Sequence, residues 1–276
     1  MKIVGFLLRF LPKNHISYLT GLLVHIKFPK PISTLLIKLF SGHYRINEGE
    51  AEKPIGEYLS IGDFFIRKLK PGIRPIGEGI VHPVDGDLTQ FHTIMSGSLI
   101  QAKGLNYSLN KFMLNNESDQ IFTNGSVLTY YLCPTDYHRT HSPVDGEIQS
   151  ICYIPGKLWP VNTWSVNAIS ELFSVNERVV IWIKTELGML AYVMVGATNV
   201  GKISLSFDEE VVTNIRPFRK EPYSKTYLSP IAIKKGEELG VFNMGSTVIA
   251  VYSEGVGIDI NKVKLGPVQM GKSLQV

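Results

Sequence analysis

The sequence is poor in cysteine and has no long uncharged apolar run. Cys133 and Cys152 are the only two cysteines in 276 residues, and they do not form a C-x-x-C pair. The pattern excludes a disulfide framework and indicates a reducing compartment. A chain of this length can bury a sizeable core without disulfides. No apolar run reaches the roughly 18–20 uncharged residues that a membrane-spanning helix needs.

Acidic residues are missing from the first 47 positions. Glu48 is the first of 24 acidic residues, whereas seven of the 28 basic residues precede it, so the net charge of +4 comes from this segment. Apolar residues recur at helical spacing within residues 3–11 and 32–40. Helices with one apolar and one basic side suit an anionic bilayer surface. We therefore predict that residues 1–46 are a basic amphipathic membrane-association segment; the alternative is a helical layer packed on the core.

Strand patterns dominate the rest of the chain. Stretches rich in Val, Ile, Tyr and Thr are bounded by Gly, Pro and Asn; they are "SVLTYYLCP", "EIQSICYIP", "RVVIWIKTE", "GMLAYVMVGATNVGKISLSF" and "STVIAVYSEG". "TELGML" is typical of a hairpin turn, and "YLSIGDFFIRKLKPGIRPIGEG" predicts a short helix followed by a turn-rich linker. We predict an α+β fold in which residues 47–276 form a catalytic, mainly antiparallel β domain behind the N-terminal helices.

The densest group of reactive side chains is "CPTDYHRTHSPVDG". Two prolines argue against a long helix here, so we expect a loop after the strand "SVLTYYL". His138 and His141 could bind zinc together with carboxylates, cap loops, or include a general base aimed at a nucleophile. Asp85, in the first of two Pro-Val-Asp-Gly stretches, is by itself typical of a turn. Gly245 before Ser246 is, by itself, typical of a bulge in a strand.

Four blocks together resemble the phosphatidylserine decarboxylase family, in particular its bacterial, membrane-associated branch. They are "HPVDGDLTQ", "QAKGLNYSL", "YHRTHSPVDG" and "KGEELGVFNMGSTVI", with weaker support from "FFIRKLKPGIRPI", "NERVV" and "MVGATNVGKI". The match runs from about Tyr58 to Val251, and Y-H-R-x-H followed by G-S-T is a specific signal. The family usually has Leu where this chain has Met244, an apolar residue of similar volume.

The resemblance implies a chain that cuts itself. Cleavage between Gly245 and Ser246 would give a β chain, 1–245, and an α chain, 246–276, which form a heterodimer. Ser246 would attack the preceding carbonyl, with His141 as base and Asp85 orienting it, in roles similar to those of a Ser-His-Asp relay. Elimination would then convert Ser246 into a pyruvoyl group, the cofactor implied, with no metal.

The resemblance also implies a reaction and a location. The pyruvoyl group would form a Schiff base with phosphatidylserine and release CO2 and phosphatidylethanolamine, a step of phospholipid biosynthesis. His138 or His141 would protonate the resulting carbanion, and His138 is favoured because His141 serves the relay. The expected partners are phosphatidylserine and an anionic membrane surface, with no nucleic acid. The expected location is peripheral, on the cytoplasmic face of the inner cell membrane.

Three alternatives remain. A pyruvoyl-dependent decarboxylase of a soluble amino acid would share the self-cleavage but would not explain the acid-free N-terminus. A serine hydrolase using Asp85, His141 and Ser246 would keep its serine and an intact chain. A non-catalytic membrane-binding β protein would also stay uncut. Whether the two-chain unit assembles further does not follow from the sequence.

Overall fold

The computed structural model describes residues 11–95, 98–102, 105–161, 163–198, 202–243 and 246–275. Its α-helices are α1 Lys13–Val24, α2 Lys30–Tyr44, α3 Ile61–Phe65, α4 Leu109–Met113, α5 Ser118–Ile121, α6 Thr163–Ala168 and α7 Leu172–Val175. Its strands are β1 Gly86–Thr93, β2 Ser98–Ala102, β3 Leu105–Ser108, β4 Ser126–Leu132, β5 Arg139–His141, β6 Gly146–Ile154, β7 Arg178–Lys184, β8 Met189–Val195, β9 Ile203–Leu205, β10 Tyr223–Ile233, β11 Glu238–Phe242, β12 Ser246–Tyr252 and β13 Gly266–Val268. Short 3₁₀ helices span Glu48–Glu50, Ile55–Glu57, Glu254–Val256 and Ile260–Lys262.

An eight-stranded antiparallel sheet forms the centre of the molecule. Its order is β10-β6-β7-β8-β12-β4-β1-β13, so β12 lies between β8 and β4. One face buries Leu128, Tyr130 and Val248, and the other buries Val127 and Ile249. Burial on both faces explains why β4 and β12 are mostly apolar and do not alternate regularly between apolar and polar residues. The predicted α+β fold with a mainly antiparallel core is confirmed.

The turns and short helices follow the sequence signals, whereas one strand was not predicted. The predicted hairpin joins β7 to β8, and Thr185 N donates to Gly188 O at 2.8 Å. The predicted short helix is α3, whose N-cap Ser60 accepts a hydrogen bond from Asp63 N. Strand β10 was not predicted because it is largely exposed and contains Pro230. Its register with β6 shifts around that proline, which an edge strand tolerates.

A smaller sheet of three strands, β5-β11-β9, packs beside the large one. The stretch "GMLAYVMVGATNVGKISLSF" is therefore divided, with β8 in the large sheet and β9 in the small one. Strands β4 and β5 are consecutive, and so are β11 and β12. Each of these pairs of strands crosses from one sheet to the other, and both crossings lie at the same end of the large sheet.

The N-terminal helices expose their apolar side. The predicted helix over residues 3–11 falls almost wholly outside the described residues. Helix α1 buries Lys13 and Ser17, and α2 buries Ser33, Ile37 and Ser41. The exposed apolar residues of this region are Leu11, Leu19, Leu22, Leu23, Ile26, Phe28, Ile32, Leu35 and Leu39. A layer packed only to fill the core would turn these side chains inward.

Local hydrogen bonds explain why small polar residues face inward. Ser33 Oγ donates to Leu59 O at 2.9 Å, and Ser41 Oγ contacts Ile46 O at 3.4 Å. The Lys13 ammonium lies 3.8 Å from the centre of the Trp159 ring, a cation–π contact. Among the described residues, no helix combines the length and the apolar character needed to cross a bilayer.

Candidate active site

The two histidines of "YHRTH" lie where the chain leaves β4 and enters β5. The loop closes through Asp136, whose carboxylate accepts from Cys133 N at 2.7 Å. The predicted loop is correct for His138 but wrong for His141, which lies on β5. The register explains this difference, because residues 139–141 pair with β11. Phe242 N, at the end of β11, donates to His138 O at 2.9 Å.

His138 has one ring nitrogen without a partner. The residue is fully buried, and its Nδ1 lies 2.9 Å from Asp136 O. A carbonyl can only accept, so Nδ1 carries the proton and Nε2 presents a lone pair. Among the described residues, Nε2 has no hydrogen-bond partner. The Phe65 ring lies 4.0 Å away, centre to centre. Burial lowers the pKa of His138 to about 3, so the ring is neutral.

His141 has a partner on each ring nitrogen. Its Nδ1 donates to Gly236 O at 2.9 Å, so Nε2 accepts from the Tyr137 hydroxyl at 3.2 Å. Burial lowers the pKa of this ring, and the bond to the Gly236 carbonyl opposes that shift. The charges of Glu238 and Asp85 also oppose the lowering of this pKa. Tyr137 and Gly236 hold the imidazole in one orientation.

Asp85 is bound by an arginine rather than by His141. Both of its carboxylate oxygens contact Arg74, at 2.6 to 3.1 Å, and Met270 N donates to Oδ1 at 2.9 Å. The link to the histidine runs through the backbone, because His141 N donates to Pro83 O at 2.9 Å. Asp85 is thus a neighbour of His141, but no hydrogen bond joins the two side chains in the described structure. Its predicted orienting role stays a prediction.

Ser246 is the first residue of β12. Its backbone is paired opposite Leu132, the last residue of β4. Phe242, which is bonded to His138, precedes it by four residues, a span of at most about 14 Å. Asp87 of β1 lies opposite Tyr131 of the same β4. These pairings bring together the start of β1, the end of β4 and the start of β12, close to the start of β5. Met244 and Gly245, including the predicted cleavage position, lie outside the described residues.

The sequence did not single out several partners of these residues. Arg74 lies in the predicted linker and pairs with both Asp85 and Glu50. Glu177 lies at the same end of the large sheet, where burial raises its pKa to about 7. Tyr153 Oη donates to Glu177 Oε1 at 2.6 Å. The blocks "GIRPI" and "NERVV" contain Arg74 and Glu177 but do not reveal what these residues contact.

The zinc interpretation has no support from the geometry. Among the described residues, no group of three or more His, Cys, Asp or Glu side chains is arranged to hold a metal ion. Asp145 of the second Pro-Val-Asp-Gly stretch accepts from Lys235 N at 3.0 Å and is exposed, so it shapes its own turn.

Comparison with known proteins gives a consistent family. The model of the phosphatidylserine decarboxylase family matches residues 61–275. A phosphatidylserine decarboxylase proenzyme of Anaeromyxobacter sp. (strain K) is 39% identical over 90% of this chain and 88% of its own. Proteins of the same name from Myxococcus xanthus and Brevibacillus brevis are 37% and 39% identical, over 98% and 99% of this chain and 96% and 95% of theirs. The span matched by the family model contains all four predicted site residues.

The buried, neutral His138 predicts a dependence of stability on pH. Because its pKa is lowered to about 3 from 6.5, the unfolded chain binds a proton that the folded chain does not between these values. This difference in proton binding leaves the free energy of unfolding unchanged above about pH 6.5 and lowers it as the pH falls toward 3. His138→Asn keeps a donor for Asp136 O and removes this titration. The melting temperature of this variant should therefore fall less steeply with acid.

The melting temperature should be followed from pH 7 to 4 in the Ser246→Ala background, where the chain is expected to stay whole. His43→Asn, on the exposed side of α2, controls for the loss of one imidazole. An acid slope that is the same with and without His138→Asn would contradict the prediction.

Proposed function

The chain belongs to the phosphatidylserine decarboxylase family, and we propose that it converts phosphatidylserine to phosphatidylethanolamine and CO2. The observation that carries the proposal is buried His138, whose Nε2 has no partner among the described residues. Its backbone carbonyl accepts from Phe242 N, four residues before Ser246. A buried lone pair without a partner is costly unless a substrate or reacting group meets it. The word proenzyme in the relatives' names supports maturation by cleavage.

The first step is self-cleavage at Ser246. Its Oγ attacks the Gly245 carbonyl, the C–N bond breaks, and an ester replaces the amide; the reacting groups are already tethered. Loss of the Ser246 α-proton and departure of the Gly245 carboxylate leave dehydroalanine. Water then hydrolyses its imine tautomer, which releases ammonia and leaves a pyruvoyl group. His141 is the base, and the charge of Asp85, fixed by Arg74, favours the protonated ring.

We place this group at position 246, at the start of β12. When formed, it would supply the keto carbon that the substrate amine attacks, and an adjoining carbonyl that accepts the negative charge left by CO2. His138 keeps its own proton at Nδ1 against Asp136 O. The substrate amine reacts in its neutral form. The proton that it has released reaches the carbon that has lost CO2 through Nε2 of His138, which is protonated only transiently.

The two products of cleavage would stay together as a heterodimer. Residues 247–252 pair with β4 on one side and with β8 on the other. Farther along the same fragment, β13 pairs with β1, and Met270 N donates to Asp85. The fragment therefore supplies a central strand, an edge strand and one contact of the site.

We also propose that residues 1–46 attach the enzyme peripherally to an anionic membrane, on the cytoplasmic face of the inner cell membrane. The exposed leucines of α1 and α2 and the absence of acidic residues before Glu48 support this assignment. A decarboxylase of a soluble amino acid would leave the apolar face without a purpose. The remaining residues, 47–276, would form the catalytic domain.

Self-cleavage is tested by the size of the purified protein. The wild type should give two pieces on a denaturing gel. Intact-mass measurement should show that the small piece starts at position 246, and this piece should contain a carbonyl group that reacts with hydrazine. Ser246→Ala should stay whole and inactive, because the nucleophile is gone. Ser224→Ala, an exposed serine of β10, should cut normally. A cut Ser246→Ala chain would refute the mechanism, and an intact, active wild type labelled by a serine probe would indicate a hydrolase.

Substitution of His138 and of His141 should affect different reactions, decarboxylation and self-cleavage. We expect His141→Ala to remain uncut. His138→Ala should cut but lose at least about 100-fold in decarboxylation rate per pyruvoyl group, as the loss of a general acid–base predicts. The fraction cleaved and the CO2 released are measured on the same samples, with His43→Ala as control. The reverse pattern, with His138→Ala uncut and His141→Ala cut, would overturn the assignment.

The membrane proposal is tested on the exposed leucines of α1. Changing Leu19, Leu22 and Leu23 to Gln should lower pelleting with phosphatidylglycerol-containing vesicles by more than about tenfold, because buried apolar area drives such binding. Self-cleavage should be unchanged. The matched control changes three exposed leucines of the β domain, Leu187, Leu228 and Leu265. Equal pelleting of the two triple variants would show that α1 is not the membrane face.

A further inference from the structure

Arg67, just after α3, is a buried cation whose donors are mostly unused. The residue is 5% exposed, and its one hydrogen bond to another described residue is long, from Nη2 to Thr135 O at 3.5 Å. Among the described residues, Nε and Nη1 have no hydrogen-bond partner. The Phe64 ring lies 5.2 Å from the guanidinium. A buried charge with free donors is strongly disfavoured unless an anion is bound to it.

Buried Arg178 and half-buried Arg74 differ from Arg67. Arg178, 2% exposed, donates to four backbone carbonyls at 2.6 to 3.2 Å. Arg74 is paired with two carboxylates. Arginine is therefore well satisfied where this chain uses it to hold the fold. Arg67 has the burial of a structural arginine without the bonds of one.

The acidic residues near Arg67 are already engaged. Asp85 and Glu50 are close enough to raise its pKa, although burial outweighs them and lowers it overall. Both carboxylates are bound by Arg74, and Met270 N also donates to Asp85. The anion that completes Arg67 must therefore come from outside the described part of the chain.

Arg67 lies between the outward apolar helices and His138. On one side, Phe64 packs with Ile37 of α2, the helix whose opposite side exposes leucines. On the other side, Phe65 lies against the His138 ring, and Thr135 belongs to the same loop as His138. Arg139 Nε donates to Ile66 O at 2.9 Å, which ties the residue before Arg67 to the start of β5.

We propose that Arg67 binds the phosphodiester of the phospholipid substrate; this inference rests on the function proposed above. A guanidinium offers a fork of donors that matches phosphate oxygens. In phosphatidylserine, three bonds separate the phosphorus from the carbon that loses CO2, so a phosphate at Arg67 puts that carbon near His138. The residue is thus a substrate-binding group at the entrance of the site.

The phosphate fits Arg67 better than the substrate carboxylate does. The carboxylate loses its charge as CO2 forms, so a cation bound to it would stabilise the ground state more than the transition state and slow the reaction. The phosphodiester stays charged throughout, so the cation binds substrate and transition state equally. Loss of such uniform binding raises KM and leaves kcat largely unchanged.

The test compares Arg67→Gln with Lys68→Gln, which removes the same charge from the exposed neighbouring residue. Activity is measured on phosphatidylserine in neutral detergent micelles, with phosphatidylethanolamine or diacylglycerol of the same acyl chains as competitor. For Arg67→Gln, we expect normal self-cleavage, a KM about tenfold higher and a kcat within about threefold. Inhibition by phosphatidylethanolamine, which has the phosphate but no carboxylate, should weaken by the same factor as KM. Diacylglycerol should not inhibit specifically.

The outcomes are distinct. A lower kcat with unchanged KM and unchanged inhibition by phosphatidylethanolamine would place Arg67 at the carboxylate or the reacting carbon and overturn the proposal. If Arg67→Gln fails to fold or cut, Arg67→Lys decides. This variant keeps the charge and loses the fork, and an unchanged KM and inhibition constant would contradict phosphate binding. Absence of turnover in both the wild type and Lys68→Gln would instead refute the proposed function.

Discussion

The site depends on two pairs of neighbouring strands, one pair in each sheet. Strands β4 and β12 pair in the large sheet, and β5 and β11 pair in the small one. Two of the segments in which the chain crosses between the sheets, from β4 to β5 and from β11 to β12, therefore start and end on paired strands. One crossing contains His138, and the other ends at Ser246. Pairing of β1 with β4 adds Asp85 at the same end. Residues 161 positions apart are thus held together by backbone hydrogen bonds rather than by the reactive side chains.

Burial then sets the protonation of the groups that meet there. His138 and His141 are both desolvated, which lowers their pKa and keeps the rings neutral near pH 7. A neutral imidazole has one donor and one acceptor nitrogen, and the carbonyls of Asp136 and Gly236 select which is which. The two rings differ in the second nitrogen, which faces the Tyr137 hydroxyl in one and has no partner among the described residues in the other. This difference supports the separate proton transfers proposed for the two histidines of one motif.

Much of this fold could be predicted from local pattern, and the site only in part. Apolar runs bounded by Gly and Pro predicted β4, β7 and β12. Strand β10 was not predicted, because its exposed residues and Pro230 weaken the apolar pattern typical of a strand. Asp85, His138 and His141 stand in recognisable motifs. The partners of Arg74 and Tyr137 could not be predicted from the sequence, because those contacts arise from strand register and loop closure between distant segments. For α2, periodicity predicted a helix but not which side faces the core, because the buried side includes Ser33 and Ser41, whose hydrogen bonds no periodicity records.

The order of chemical environments across the N-terminal side of the molecule matches the order of groups in a phospholipid. Leucines of α2 face outward, Ile37 and Phe64 form an apolar layer beneath them, and Arg67 lies below that layer. His138 follows on the other side of Phe65. In the proposed binding mode, a lipid that kept its acyl chains at the leucine face would meet a cation at the depth of its phosphate and a nitrogen with a free lone pair at the depth of its amine. Such a gradient needs no cavity large enough for the whole lipid, because only the headgroup leaves the bilayer. The proposed binding of a membrane phospholipid would explain both the outward apolar helices and the buried arginine with unused donors, each of which is unfavourable in an isolated chain.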